Sequence, residues 1–122
     1  MDRIQKKKGR KEVYYKPRYF KPSEVAGLNP KLIIILDHMR HDCGFPFKIA
    51  SGLRPGDKGA HGTGDAVDLR LWKNRSPGNQ RWKLANAALK YGITRMGFYD
   101  KHSHFDVALY LPQNVIWIGE SR

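Results

Sequence analysis

Ala66-Val67-Asp68-Leu69-Arg70-Leu71-Trp72 alternates without a break, with Val67, Leu69 and Leu71 on one face and Ala66, Asp68, Arg70 and Trp72 on the other. Such alternation marks a half-buried strand, because successive side chains point to opposite sides of a sheet. The stretch around residue 104 repeats the pattern: Phe105, Val107 and Leu109 form an apolar face, and His102, His104 and Asp106 share the opposite one. If both strands lie in one sheet and turn their aliphatic faces toward helices, Asp68 and His104 project from the same side. One face of the sheet is then dry and the other carries chemistry.

The flanking sequence supplies the helices. Asn29-Pro30 is a helix start, a capping residue followed by proline at a favoured early position. Leu32, Ile33, Ile35, Leu36 and Met39 follow with helical period, and Gly44 ends the run. Phe47 to Leu53 reads as a strand, and residues 54 to 64 as a loop rich in glycine. After a loop over residues 73 to 79, Trp82, Ala85, Ala88 and Leu89 mark a second amphipathic helix, Gln80 to Tyr91, closed by Gly92. Thr94 to Tyr99, Ser103 to Leu109 and Val115 to Ile118 read as three short strands. The expected class is α+β, a small antiparallel sheet with helices packed on one face and a metal site on the other.

At 122 residues the chain makes one domain with one modest core. The single cysteine, Cys43, excludes an internal disulfide and a site built from several thiolates, so any metal must be held by His and carboxylate. Of the net charge of +12, +7 lies in residues 1 to 21. Residues 1–18 are expected to be a basic, flexible arm and residues 19–122 the domain. The arm suits a polyanion, either an anionic cell wall or nucleic acid. Tyr14, Tyr15, Tyr19 and Phe20 interleave with its charges, and stacking on bases or anchoring to the domain both fit that pattern. No apolar run follows the basic start and no window is long enough to span a membrane, so the expectation is synthesis in the cytoplasm without a secretion signal.

Ser51-Gly52-Leu53-Arg54, His61-Gly62-Thr63-Gly64-Asp65-Ala66-Val67-Asp68 and His102-Ser103-His104-Phe105-Asp106 carry the candidate chemistry. A histidine, a carboxylate and a second histidine give Zn²⁺ three protein ligands and leave a fourth position for water, the arrangement of catalytic rather than structural zinc. His38 and His41 lack such partners in the sequence and are expected to be solvated.

These segments resemble the S-G-x-R, S-x-H-x-x-G-x-A-x-D and H-x-H signatures of the zinc D-Ala-D-Ala carboxypeptidases, and the likeness runs over about residues 19 to 119. The resemblance implies zinc on His61, Asp68 and His104, hydrolysis of peptide bonds in peptidoglycan by a carboxypeptidase or endopeptidase, and Arg54 as the clamp for a substrate carboxylate or oxyanion. The lack of a signal suits a phage lysin or virion enzyme that acts at the cell wall. Relatives usually carry an acid three residues before the last ligand, where this chain has Lys101. Asp100 and His102 are therefore the candidates for proton transfer, and Asp106 for orienting a ligand imidazole. Two alternatives stand beside this reading: a wall-binding or structural module without turnover, and a basic nucleic-acid-binding protein.

Overall fold

The computed structural model describes residues 4–6, 13–71 and 78–120, with side chains from Tyr15 onward. The loop expected over residues 73 to 79 lies largely outside them. Among the described residues ten short elements follow one another. Ile4–Lys6 (β1) and Val13–Tyr15 (β2) pair antiparallel within the basic segment. Pro30–Cys43 forms α1, Phe47–Ser51 β3, Ala60–Thr63 a 3₁₀ turn, Ala66–Leu71 β4, and Gly78–Lys90 α2. Arg95–Phe98 (β5), Ser103–Asp106 (β6) and Val115–Ile118 (β7) complete a five-stranded sheet of order β3-β4-β6-β5-β7.

The helix starts where the sequence places it. The Asn29 side chain accepts a hydrogen bond from the Lys31 N–H, Pro30 occupies the first turn, and Gly44 closes the helix in the left-handed region at φ 71°. Leu32, Leu36 and Met39 on α1 and Leu84 and Ala88 on α2 pack with Val67, Leu69, Met96 and Phe105 of the sheet in one core. Each of these large side chains is almost fully buried, so truncating one to Ala costs about 2–5 kcal/mol.

The sheet is mixed rather than wholly antiparallel, because β7 runs parallel to β5 while the other pairs are antiparallel. The segment 107–114 leads the chain from the end of β6 to the outer edge of β5 before the last strand begins. The strand expected to reach Leu109 ends at Asp106, and Leu109 is exposed. The basic segment is fastened at its end, since Tyr15 Oη and the backbone N–H groups of Arg18 and Tyr19 all donate to the buried Asp37 carboxylate. Phe20 enters the core. His38 is half-buried and stacks on Tyr91, whereas His41 is exposed as expected, its Nδ1 2.8 Å from Tyr19 Oη. Among the described residues no helix is long and apolar enough to cross a membrane.

Candidate metal centre

The site stands on the face of the sheet opposite the helices. β4 and β6 pair with Asp68 directly across from His104, and β5 sets Gly97 on the other side of His104. Facing residues on neighbouring strands share a side, so the aliphatic faces of β4 and β6 turn to the core while Asp68 and His104 emerge together.

His61 reaches them from the loop. Arg54 N–H donates to the His61 carbonyl at 2.9 Å and Asp65 N–H donates to the Ala60 carbonyl at 3.0 Å, folding the 3₁₀ turn back over the end of β3. Two glycines make this path possible. A Cβ on Gly62 would lie 1.9 Å from the Asp57 carbonyl oxygen, and one on Gly64, whose φ is 77°, 2.2 Å from that of Gly27. Asn29 ties the loop to α1, donating from Nδ2 to Asp65 Oδ1 at 3.0 Å.

The three candidate ligands converge. One donor atom from each of His61, Asp68 and His104 lies within 4.8 Å of the others. His61 Nε2 is 3.3 Å and His104 Nδ1 is 3.2 Å from the same oxygen, Asp68 Oδ1. The tautomer of His61 is fixed by its other nitrogen: Nδ1 lies 2.8 Å from the Gly52 carbonyl, which can only accept, so the proton sits on Nδ1 and the Nε2 lone pair faces Asp68. His61 Nε2 is buried without a hydrogen-bond partner. A lone pair aimed at a carboxylate in a buried position is what a cation between them would satisfy, and two imidazoles with a carboxylate are a zinc-type donor set. The residues fit the metal.

Asp106 holds the third candidate ligand. His104 Nε2 lies 2.8 Å from Asp106 Oδ2, and Arg95 Nε donates to Asp106 Oδ1 at 2.8 Å. The carboxylate thereby fixes the imidazole so that Nδ1 faces Asp68, the outer-shell arrangement common to metal-ligating histidines. Burial works against ionised Asp106, but its bonds from His104 and the Ala108 N–H, with the Arg95 charge, keep its carboxyl below the usual range. Asp68 behaves likewise, burial being outweighed by the hydrogen bond of His104 and by the neighbouring His61 ring. Burial opposes a charge on His104, and its bonds to Asp106 and Asp68 reverse this and raise its pKa. For His102 burial prevails, and its pKa is lowered.

A cleft of about 520 Å³ opens over these groups. It is lined by His61, Asp68, His104 and Asp106, by Arg54 and His102 as expected from the sequence, and also by Asp57, Arg95, Tyr99, Trp117 and Glu120, which sequence reasoning missed. Arg54 is half exposed and pairs with Asp57 at 3.5 Å. His102 Nε2 is 3.9 Å from Asp68 Oδ1. Asp100 is not in the cleft lining. It sits exposed in the tight turn that Tyr99 N–H closes on the His102 carbonyl at 2.9 Å, and Arg81 of α2 donates to the backbone carbonyls of Tyr99 and Asp100.

No family model matches this sequence and no curated protein matches it. Among solved structures, the fold is similar to that of the L-Ala D-Glu endopeptidase ChiX of Serratia marcescens. The TM-score is 0.54 at 18% identity, over 72% of this chain and 86% of that one. The two chains thus share an architecture.

Proposed function

We propose that this chain is a zinc-dependent peptidase that cleaves peptide bonds of bacterial peptidoglycan. The observation that carries the reading is the convergence of His61, Asp68 and His104 at the base of an open cleft, on a fold similar to that of an L-Ala D-Glu endopeptidase. These three residues would hold Zn²⁺, which when bound polarises a carbonyl and lowers the pKa of water.

The remaining groups divide the work. Asp106 orients His104, and Arg95 keeps Asp106 ionised and in place. Arg54 stands at the cleft wall, its guanidinium suited to a carboxylate of the stem peptide, which muropeptides carry at D-Glu and at their terminus. His102 Nε2 faces the Asp68 side of the cleft, so it is the group assigned to take the proton of the attacking water and return it to the leaving amine. The exposed position of Asp100 argues against that role for it. The basic segment would add attraction to anionic wall polymers, without a shaped site.

The test is digestion of purified peptidoglycan and short muropeptides with zinc-loaded protein, with products identified by mass. Loss of one D-Ala defines a carboxypeptidase, and a severed stem or cross-bridge an endopeptidase. A wall-binding module without turnover is favoured by one feature, Lys101 where relatives carry an acid. Tight binding to walls with no product from any substrate would establish it instead.

A further inference from the structure

Two glycines on the cleft side of the sheet leave room for two aromatic rings. A Cβ on Gly97 would fall 2.2 Å from Trp117 Nε1, and one on Gly119 would fall 2.2 Å from Tyr99 Cε1. Gly97 and Trp117 are neighbours across β5 and β7, so the indole lies over the glycine toward the metal centre. Trp117 Nε1 then donates to Tyr99 Oη at 2.8 Å. The pair abuts the site at both ends. Tyr99 stacks on His102 with ring centroids 4.3 Å apart and planes 11° apart, and Trp117 packs on His104 at 5.2 Å. The Arg95 guanidinium lies over the indole, 5.4 Å from the ring centroid.

The chemistry of the Trp117–Tyr99 bond fixes a direction. An indole N–H only donates, so Tyr99 Oη is the acceptor and its own proton is left to donate elsewhere. Tyr99 and Trp117 both line the cleft. Accepting one hydrogen bond also polarises the phenol and strengthens the one it gives.

We propose that Tyr99 Oη is a substrate-contacting donor, giving its hydrogen bond to the oxygen of the scissile carbonyl as negative charge develops there, and that Trp117 is the positioning residue that aims it. This rests on the peptidase reading and adds a donor to it that is independent of Arg54. A group that acts on developing charge lowers kcat far more than it raises KM when it is removed.

The test compares zinc-loaded wild type, Tyr99→Phe, Trp117→Phe and the double variant. Each is measured for muropeptide turnover, zinc content, melting temperature and affinity for phosphinate isosteres of L-Ala-D-Glu and D-Ala-D-Ala. Tyr99→Phe keeps the ring stacked on His102 and should keep zinc and melting temperature, while kcat falls by about 10²-fold with KM little changed. Phosphinate affinity should fall by about 10-fold or more with it. Trp117→Phe should lower kcat in wild type and add nothing in the Tyr99→Phe background, a coupling that loss of packing alone does not produce. Wild-type kcat and phosphinate affinity in Tyr99→Phe would overturn the role of Tyr99 and leave the peptidase reading standing. A wild-type protein that neither cleaves muropeptides nor binds the phosphinates would overturn both.

Discussion

Asp68 and His104 are register partners across β4 and β6, and the meeting of their side chains at 3.2 Å is the joint on which the site is built. His61 is the only one of the three candidate ligands contributed by a loop, and it adds its Nε2 to the same carboxylate oxygen, its ring centroid 5.1 Å from that of His104. Purified protein should therefore contain one zinc per chain by elemental analysis, and His61→Ala or His104→Ala should abolish it. A ligand that binds only the folded state at 100 times its Kd stabilises by about 2.7 kcal/mol, so zinc should raise the melting temperature by about 10 °C and chelator should reverse it. Metal-free protein with unchanged melting on zinc addition would sink the assignment.

Much of this was legible in the sequence, because one face of each strand is forced by burial. The alternation of Val67, Leu69 and Leu71 fixed the direction of Asp68, and that of Phe105 and Val107 fixed His104. Strand direction is not written in such a pattern, so the parallel pairing of β7 with β5 escaped it. The same holds for Arg95, Asp57 and Glu120, whose approach to the cleft depends on long-range packing. Tyr99 and Trp117 did leave a signal. Gly97 lies inside a strand and Gly119 directly follows one, and an isolated glycine at such a position marks close approach of another group. Asp100 lies outside the cleft lining, in a tight turn that its adjacency to His102 in the sequence did not disclose.

Asp106→Asn tests the support of the proposed metal site rather than its candidate ligands. The amide retains size but loses the charge that faces both His104 and Arg95. Zinc affinity should fall by about 10–100-fold. Breaking a buried pair on one side also leaves Arg95 uncompensated, at a cost of about 3 kcal/mol in folding stability. An isothermal titration with zinc and a denaturant melt separate the two effects, and unchanged zinc affinity would remove Asp106 from the metal site.

Gly62→Ala probes the loop that delivers His61. Its Cβ would meet backbone, the Asp57 carbonyl, rather than the far end of a side chain that can swing away. The loop must move, whereas the core, built from α1, α2 and the sheet, is untouched. We expect zinc affinity to drop by at least about tenfold while stability falls by only about 1–3 kcal/mol. Gly44→Ala, with φ 71° but open space around it, serves as the control: it strains the helix end and leaves zinc affinity at the wild-type value.

Cys43 should be inert in the folded protein. It closes α1 against the core, and desolvation, with the nearby Asp42 charge, pushes its thiol up to about 11. The reactive species is the thiolate, so at pH 8 a disulfide reagent should label the native chain at a rate set by unfolding, and label denatured chain within seconds. Fast stoichiometric labelling of native protein would show that the α1 terminus opens freely.

The pH dependence of stability should carry the mark of a helix-to-helix clasp. Lys90 Nζ and Tyr91 Oη donate to Asp42 Oδ2 at 2.9 and 2.7 Å, joining the end of α2 to the end of α1. Hydrogen bonds from Lys90 and Tyr91 lower the Asp42 pKa, so its contribution is complete above the unfolded carboxylate value of about 3.9 and is lost as pH falls through the lower folded value. The hydrogen bond to Asp42 raises the Lys90 pKa, so that contribution is complete below about 10.4 and is lost as pH rises through the higher folded value. Asp42→Asn should thus lower the melting temperature slightly and evenly between about pH 5 and 9, the clasp being solvent-exposed and weakened by salt. The difference from wild type should vanish toward pH 2. A difference that persisted undiminished at pH 2 would mean that Asp42 acts through packing rather than charge.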